Sequence, residues 1–260
     1  MLGRWVSRHH GGEVARLAVL LAAFNPLTPY FVAYRAASLF IFLSAGALAA
    51  IDLGAWAWAL PLGALASLTR PLGILLAVPY IVALSVRPGL AKATKLAWLA
   101  GALAFGIGPA VVSYLVGRSS GNPFAFILVQ RAWGRRLEFP FLSTLHWFLR
   151  PRLTTSGGWG FPSLSILLSL AGVGLAAWMV VHGRDLWPAA LYLLVTVVVI
   201  NASNSFMGIP RFIIEVPSVF LGTALLAKRY GAQNAFLIGD AGLMVLYCAL
   251  WILGVHAVHP

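Results

Sequence analysis

The sequence predicts an all-α, polytopic membrane protein. Three observations carry that prediction: 61% of the 260 residues are hydrophobic, only 9% are charged, and the mean hydropathy is +0.91. A soluble core has no use for so much apolar side chain, and in hydrocarbon only helices and closed barrels satisfy their own backbone hydrogen bonds. A barrel would alternate polar and apolar residues over short segments. Here the apolar runs are continuous, which selects helices.

The net charge is +12, from 18 Lys and Arg against 6 acidic residues. In a membrane protein that excess points to anionic headgroups or phosphate-bearing substrates and away from nucleic acid. The single cysteine, Cys248, excludes an internal disulfide and a cysteine-based metal cluster, and reads as a small packing residue. No His/Cys/carboxylate spacing suits zinc, and no glycine loop with lysine cradles a phosphate, so neither metal nor cofactor is expected. The basic start, MLGRWVSRHHGGEVAR, lacks a clear small-residue cleavage site, and a removable signal peptide is not expected.

The first apolar stretch, residues 14–34, is interrupted by Asn25-Pro26-Leu27-Thr28-Pro29, where proline ends the helix. A second span, 36–51, stops at Asp52-Leu53-Gly54. Trp56 and Trp58 open a third span to residue 68, as interfacial tryptophans do. In ALASLTRPLGILLAVPY, Arg70 stands alone between two uncharged runs. Bare guanidinium in hydrocarbon costs at least ~2.5 kcal/mol, and Pro71 pushes Arg70 out of helical geometry, so Thr69-Arg70-Pro71 reads as a tight turn at a boundary. Further spans cover 72–86, 96–117, 162–182, 187–202, 212–227 and 239–257, making about nine crossings in one domain over 1–260.

Alternate connections place Arg4, Arg8, Arg16, Arg87, Lys92, Lys95, Arg184, Lys228 and Arg229 on one side, expected to be cytoplasmic. The other side receives Arg35, Arg70, Arg211 and six arginines of the long connection 118–161: Arg118, Arg131, Arg135, Arg136, Arg150 and Arg152. The charges divide evenly, so the orientation rests on setting the long connection aside as functional. Residues 25–29, Arg70, the long loop and residues 201–211 then open on one extracytoplasmic face.

Within that loop, Asn122-Pro123 caps a short helix with Phe124, Phe126, Ile127 and Leu128 on its apolar side and Gln130, Arg131, Arg135 and Arg136 at its end. A second piece, 141–149, lies between Pro140 and Pro151 and carries His146 and Trp147. Both read as helices lying in the membrane interface. Their arginines serve either as lipid-paired anchors or as a receptor for a lipid phosphate, which guanidinium groups grip with two parallel hydrogen bonds each. Glu215, four residues after Arg211, reads as its ion-pair partner on one helix face. Asp52 and Asp240 mark helix ends, and His256 and His259 belong to a tail.

Three pieces in order resemble the PIG-V type of polytopic mannosyltransferase, related to the second mannosyltransferase of glycosylphosphatidylinositol anchor synthesis. ASLTRPLGIL (66–75) resembles its proline turn. Gly121-Asn122-Pro123-Phe124-Ala125-Phe126 through Gln130 and Trp133-Gly134-Arg135 resembles its loop motif, and Met207-Gly208-Ile209-Pro210-Arg211-Phe212 with Pro217 resembles the start of a late helix. The resemblance implies a GT-C fold and a glycosyltransferase drawing a sugar, usually mannose, from a polyprenyl-phosphate or dolichyl-phosphate carrier. It places Arg70 and Arg211 at the carrier phosphate, and Gln130, Trp133, Arg135 and Arg136 at the donor site. Membrane lipids are further partners. The compartment is the plasma membrane in a prokaryote or the endoplasmic reticulum in a eukaryote.

The aspartate that the resemblance implies in a first outer loop has no counterpart here. The expected chain is therefore a mannosyltransferase lacking its N-terminal catalytic loop, half of a split enzyme, or a non-catalytic subunit that binds lipid phosphates or a partner transferase. Glu138 is the only outer acid in a position to substitute.

Overall fold

A computed structural model of the chain describes residues 1–26, 28, 36–132, 135–149, 162–206 and 208–252. The described residues are helical almost throughout, and their one extended contact is an isolated antiparallel bridge between Leu137 and Ser203. Among them, two helices are long and apolar enough to cross a membrane, Lys92–Ser120 and Ser163–His182, while Ala37–Asp52, Trp56–Thr69 and Pro71–Val86 are shorter apolar helices.

Helix α1 (Leu2–Ala23) starts before the expected apolar stretch and breaks at Gly11, whose φ of 83° lies in the left-handed region that glycine adopts freely. Its basic first half packs into the protein. Leu2, Trp5 and Val6, at helical spacing, are buried, and the Trp5 indole donates to the Asp52 carboxylate. The two halves pack side by side, since a Cβ on Gly3 would meet Val19 at 3.1 Å. The helix ends at Ala23, ahead of Asn25-Pro26 as the sequence predicts.

Helices α2 (Ala37–Asp52) and α3 (Trp56–Thr69) form an antiparallel pair. Arg70 is extended (φ −150°, ψ 139°), and Pro71–Leu76 continues as a 3-10 turn into α4 (Ala77–Val86). This reversal is the predicted proline turn. It needs Gly73, where a Cβ would fall 2.3 Å from the Ser67 amide nitrogen. Helix α5 (Lys92–Gly101) passes through a 3-10 segment, Ala102–Gly106, into α6 (Ile107–Ser120). Gly108 also meets Ser67: its N–H donates to Ser67 Oγ at 3.0 Å, and a Cβ there would lie 2.0 Å from Ser67 O.

Gly108→Ala is therefore expected to force α3 and α6 apart and to cost at least ~1–3 kcal/mol, the usual penalty for overpacking, read as a lowered unfolding temperature in detergent. An unchanged temperature would show that the contact is slack.

Helices α7 (Ala125–Ala132) and α8 (Leu142–Leu149) are the two short loop helices, within the expected bounds. Helix α9 (Pro162–His182) packs along α10 (Trp187–Ile200). The expected span 212–227 is divided. Helix α11 (Ile209–Ile214) ends at Glu215, Val216 is extended, and α12 (Pro217–Arg229) starts afresh, because a residue before proline is pushed out of helical geometry. Helix α13 (Gln233–Ile252) begins ahead of the expected apolar run, so Asp240 lies inside it and not at its end.

The core joins α1, α2, α10 and α12. Beside it, the Tyr80 ring stands edge-on to Trp56 at 5.5 Å and against Phe105 at 5.3 Å, and its hydroxyl donates to Trp98 O at 3.1 Å. Cys248 is a half-buried thiol within α13.

Candidate functional site

The site forms where the long loop meets the α10–α11 connection. Asn122 Oδ1 accepts from the Phe124 N–H at 2.9 Å and so starts α7, the predicted capping role. At the other end of α7, Gln130 clasps Arg135 twice. Its backbone O accepts the Arg135 N–H at 2.9 Å and its Oε1 accepts Arg135 Nη1 at 3.1 Å. The clasp turns the chain so that Arg131, Arg135 and Arg136 gather together.

Residues 136–141 then run along 201–204. Arg136 N–H donates to Asn204 Oδ1 at 2.8 Å, and Asn204 N–H returns a bond to Arg136 O at 3.2 Å. Glu138 N–H donates to Ala202 O at 2.9 Å, and Phe141 N–H to Asn201 O at 3.1 Å. Phe141 has a φ of 65°, a strained value for an aromatic residue and a mark of a sharply directed turn.

Asn201 anchors the arrangement. It is buried, and its Nδ2 donates to Ser169 Oγ at 3.0 Å and to Val197 O at 2.8 Å, while Ser165 Oγ donates to Phe206 O at 3.1 Å. The α9–α10 pair thus forms a rigid floor beneath the arginine segment. Asn204→Ala removes the Arg136 contact, worth about 1 kcal/mol net, and is expected to leave the fold intact while raising protease cleavage of residues 133–141. Wild-type cleavage rates would contradict that assignment.

A cavity of about 820 Å³ opens over this floor. Its polar lining consists of Gln130, Arg131, Arg135, Arg136, Ser203 and Ser205, and its apolar lining of Ile127, Leu137, Val199, Ile200, Ile209 and Phe212. Among the described lining residues there are three guanidinium groups and no carboxylate. Such a cavity suits an anion attached to an apolar body, since guanidinium groups and aliphatic and aromatic side chains line it together.

The chain matches no protein-family profile, no curated protein and no solved structure.

Of the residues singled out in the sequence, Gln130, Arg135 and Arg136 line this cavity together. Arg211 borders it: its neighbours Ile209 and Phe212 are in the wall, and its guanidinium lies 5.1 Å from the Phe212 ring centroid. Arg70 is not among the lining residues. Its Nη2 lies 2.8 Å from Glu215 Oε1, with the Glu215 side chain fully buried and that of Arg70 only 16% exposed. Besides the Arg211 that spacing offers it, Glu215 has Arg70 of the distant proline turn as an ion-pair partner. Glu138 is also outside the cavity wall, and its carboxylate accepts from Ser143 Oγ at 3.2 Å. Trp133, Arg35, Arg150, Arg152, Met207, His256 and His259 lie outside the described residues.

Far from the cavity, His9, Asp52, Arg87, Arg184 and Asp185 share one small cleft. His10, Lys228 and Arg229 line another with Asp185. Burial pushes the His10 imidazole below its usual pKa, against the opposing pull of the Asp185 carboxylate 3.7 Å away. Among the described residues no group of three or more His, Cys, Asp or Glu is placed to hold a metal ion. Sequence reasoning missed Ser203 and Ser205 as wall residues and Asn204 as a tether, since all three act through contacts distant in the chain.

Proposed function

We propose that the chain is a multi-span membrane protein whose arginine cavity receives the phosphate of a polyprenyl-phosphate sugar, and that it serves glycosyl transfer, with mannose as the sugar. The observation that carries this reading is the gathering of Arg131, Arg135 and Arg136 in one cavity with an apolar wall and no lining carboxylate. The ordered resemblance to PIG-V-type mannosyltransferases supplies the reaction class. About nine crossings, with the cavity on the extracytoplasmic face, belong to the same proposal.

In the reaction, an acceptor hydroxyl oxygen attacks the anomeric carbon, the bond from that carbon to the phosphate oxygen breaks, and the phosphate leaves with the electron pair. Guanidinium groups stabilise the charge that develops on the phosphate, which becomes a dianion as it departs. The hydroxyl proton needs a carboxylate acceptor.

A second reading is a subunit that binds the carrier without performing the transfer. It is favoured by one observation: among the described residues the nearest acids are otherwise engaged, Glu138 with Ser143 and Glu215 with Arg70.

The test is transfer of radiolabelled mannose from polyprenyl-phosphate mannose by membranes containing the chain. Transfer that disappears with Arg135→Gln supports the enzyme. Carrier binding without transfer, restored to transfer by a copurifying protein, supports the subunit. Neither binding nor transfer refutes both.

A further inference from the structure

We propose a second anion site at the opposite end of the bundle, where the crevice between α1, α12 and α13 holds the headgroup of an anionic diacyl phospholipid with its phosphate against Arg16 and Lys228. The crevice has a volume of about 480 Å³ and is amphipathic. Arg16, Lys228, Gln233 and Asn234 supply its hydrogen-bond donors, and Leu17, Leu20 and Leu237 supply an aliphatic side. A basic crevice between membrane helices is the arrangement that selects acidic headgroups.

The charge balance favours an anion. Among the described residues no carboxylate pairs with Arg16. Lys228 Nζ lies 2.9 Å from a Glu13 carboxylate oxygen, but the Glu13 side chain is 83% exposed and that of Lys228 45%. A water-exposed pair of this kind contributes little, so a phosphate oxygen displaces the carboxylate readily. Lys228 also sits in the last turn of α12, where carbonyl ends orient a cation but leave its remaining donors available.

The aliphatic side favours a lipid over a soluble phosphate. Beyond Leu17 and Leu20, the same face of α1 reaches Leu21, and α13 continues through Leu243 and Leu246. These residues line a larger apolar cavity of about 590 Å³ between α1, α9, α12 and α13. Within a bilayer such a groove is filled by a hydrocarbon chain, because water finds no partners there. Asp240 faces this groove and repels a second acidic group, which keeps the headgroup at Arg16 and Lys228.

The test is native mass spectrometry of the full chain released from detergent with phosphatidylglycerol or with phosphatidylcholine of the same chains. The wild type is expected to retain one phosphatidylglycerol in preference to phosphatidylcholine, and each of Arg16→Gln and Lys228→Gln to lower that retention about fivefold. Glu13→Gln removes the competing carboxylate and is expected to raise retention, an effect that loss of a merely structural ion pair does not give. The series is repeated in the Arg135→Gln, Arg136→Gln background, where the other cavity has lost two of its guanidinium groups, and the loss caused by Arg16→Gln and Lys228→Gln should persist there, so failure of the carrier reading is read separately. Equal retention of the two lipids, unchanged retention in the Arg16→Gln, Lys228→Gln double variant, lowered retention in Glu13→Gln, or thermal protection by inorganic phosphate equal to that by phosphatidylglycerol would each overturn the proposal.

Discussion

Glu215→Ala is expected to destabilise the protein by about 3–5 kcal/mol, the cost of stripping one partner from a buried ion pair. The Glu215 carboxylate is wholly enclosed and the Arg70 guanidinium nearly so, 2.8 Å away. Without the carboxylate, a positive charge remains in the interior with nothing to compensate it. Arg70→Leu removes a guanidinium 2.8 Å from the buried carboxylate and should also lower stability. The double variant Arg70→Leu, Glu215→Leu should be milder than the sum of the two single changes, since their mutual interaction is lost only once. Thermal unfolding of the purified protein in one detergent measures all three. If Glu215→Ala lay within about 0.5 kcal/mol of wild type, the pair would have no such role.

The consequence of the pair reaches the cavity. Glu215 stands where α11 gives way to the extended Val216, and its N–H donates to Arg211 O at 3.1 Å. Arg70 therefore pins the foot of the short helix that carries Ile209 and Phe212 into the cavity wall. This gives the proline turn a positioning role at the α11 part of the cavity wall.

Replacing Arg135 and Arg136 together by glutamine is expected to weaken binding of a polyprenyl phosphate by at least about tenfold per residue, since each charge-assisted hydrogen bond is worth roughly 1.5–3 kcal/mol. The fold should survive. The backbone bonds that shape this segment, Arg135 N–H to Gln130 O and Arg136 N–H to Asn204 Oδ1, do not involve the guanidinium groups. Lysine at either position keeps the charge but loses the bidentate geometry, and should fall between glutamine and arginine. Titration with fluorescent polyprenyl phosphate reads the series. Wild-type affinity in the double glutamine variant would exclude the cavity as the phosphate site.

Much of the architecture was legible because its signals are local. Asn25-Pro26, Asp52-Leu53-Gly54, Thr69-Arg70-Pro71 and Asn122-Pro123 each act through the conformational limits of a few consecutive residues, and the helices end or begin beside them. Pro217 was such a signal too. Its effect was missed because apolar residues on both sides suggested one continuous span. The buried first half of α1 lay outside the expected apolar stretch 14–34, since Arg4, Arg8, His9 and His10 lower its hydropathy. Leu2, Trp5 and Val6 carry helical spacing nonetheless.

The site was half legible for the same reason. Gln130, Arg135 and Arg136 lie within one short stretch, and their clustering survives any arrangement of the bundle. The rest of the lining comes from elsewhere, Val199, Ile200, Ser203, Ser205 and Ile209 from α10 and the segment after it, and is braced by Asn204 and by Ser165 of α9. The partner of Arg70 is likewise a tertiary choice. A four-residue spacing offers Glu215 to Arg211 but carries no sign of Arg70, which reaches the carboxylate from another helix end.

The central claim, that the arginine cavity holds the phosphate of a lipid carrier, is tested most directly by comparing a polyprenyl phosphate with the polyprenol of the same length for binding to the purified protein. The account predicts that the phosphate binds at least about a hundredfold more tightly, and that substituting Arg135 and Arg136 abolishes most of the difference. Equal affinity for the alcohol and the phosphate would contradict it.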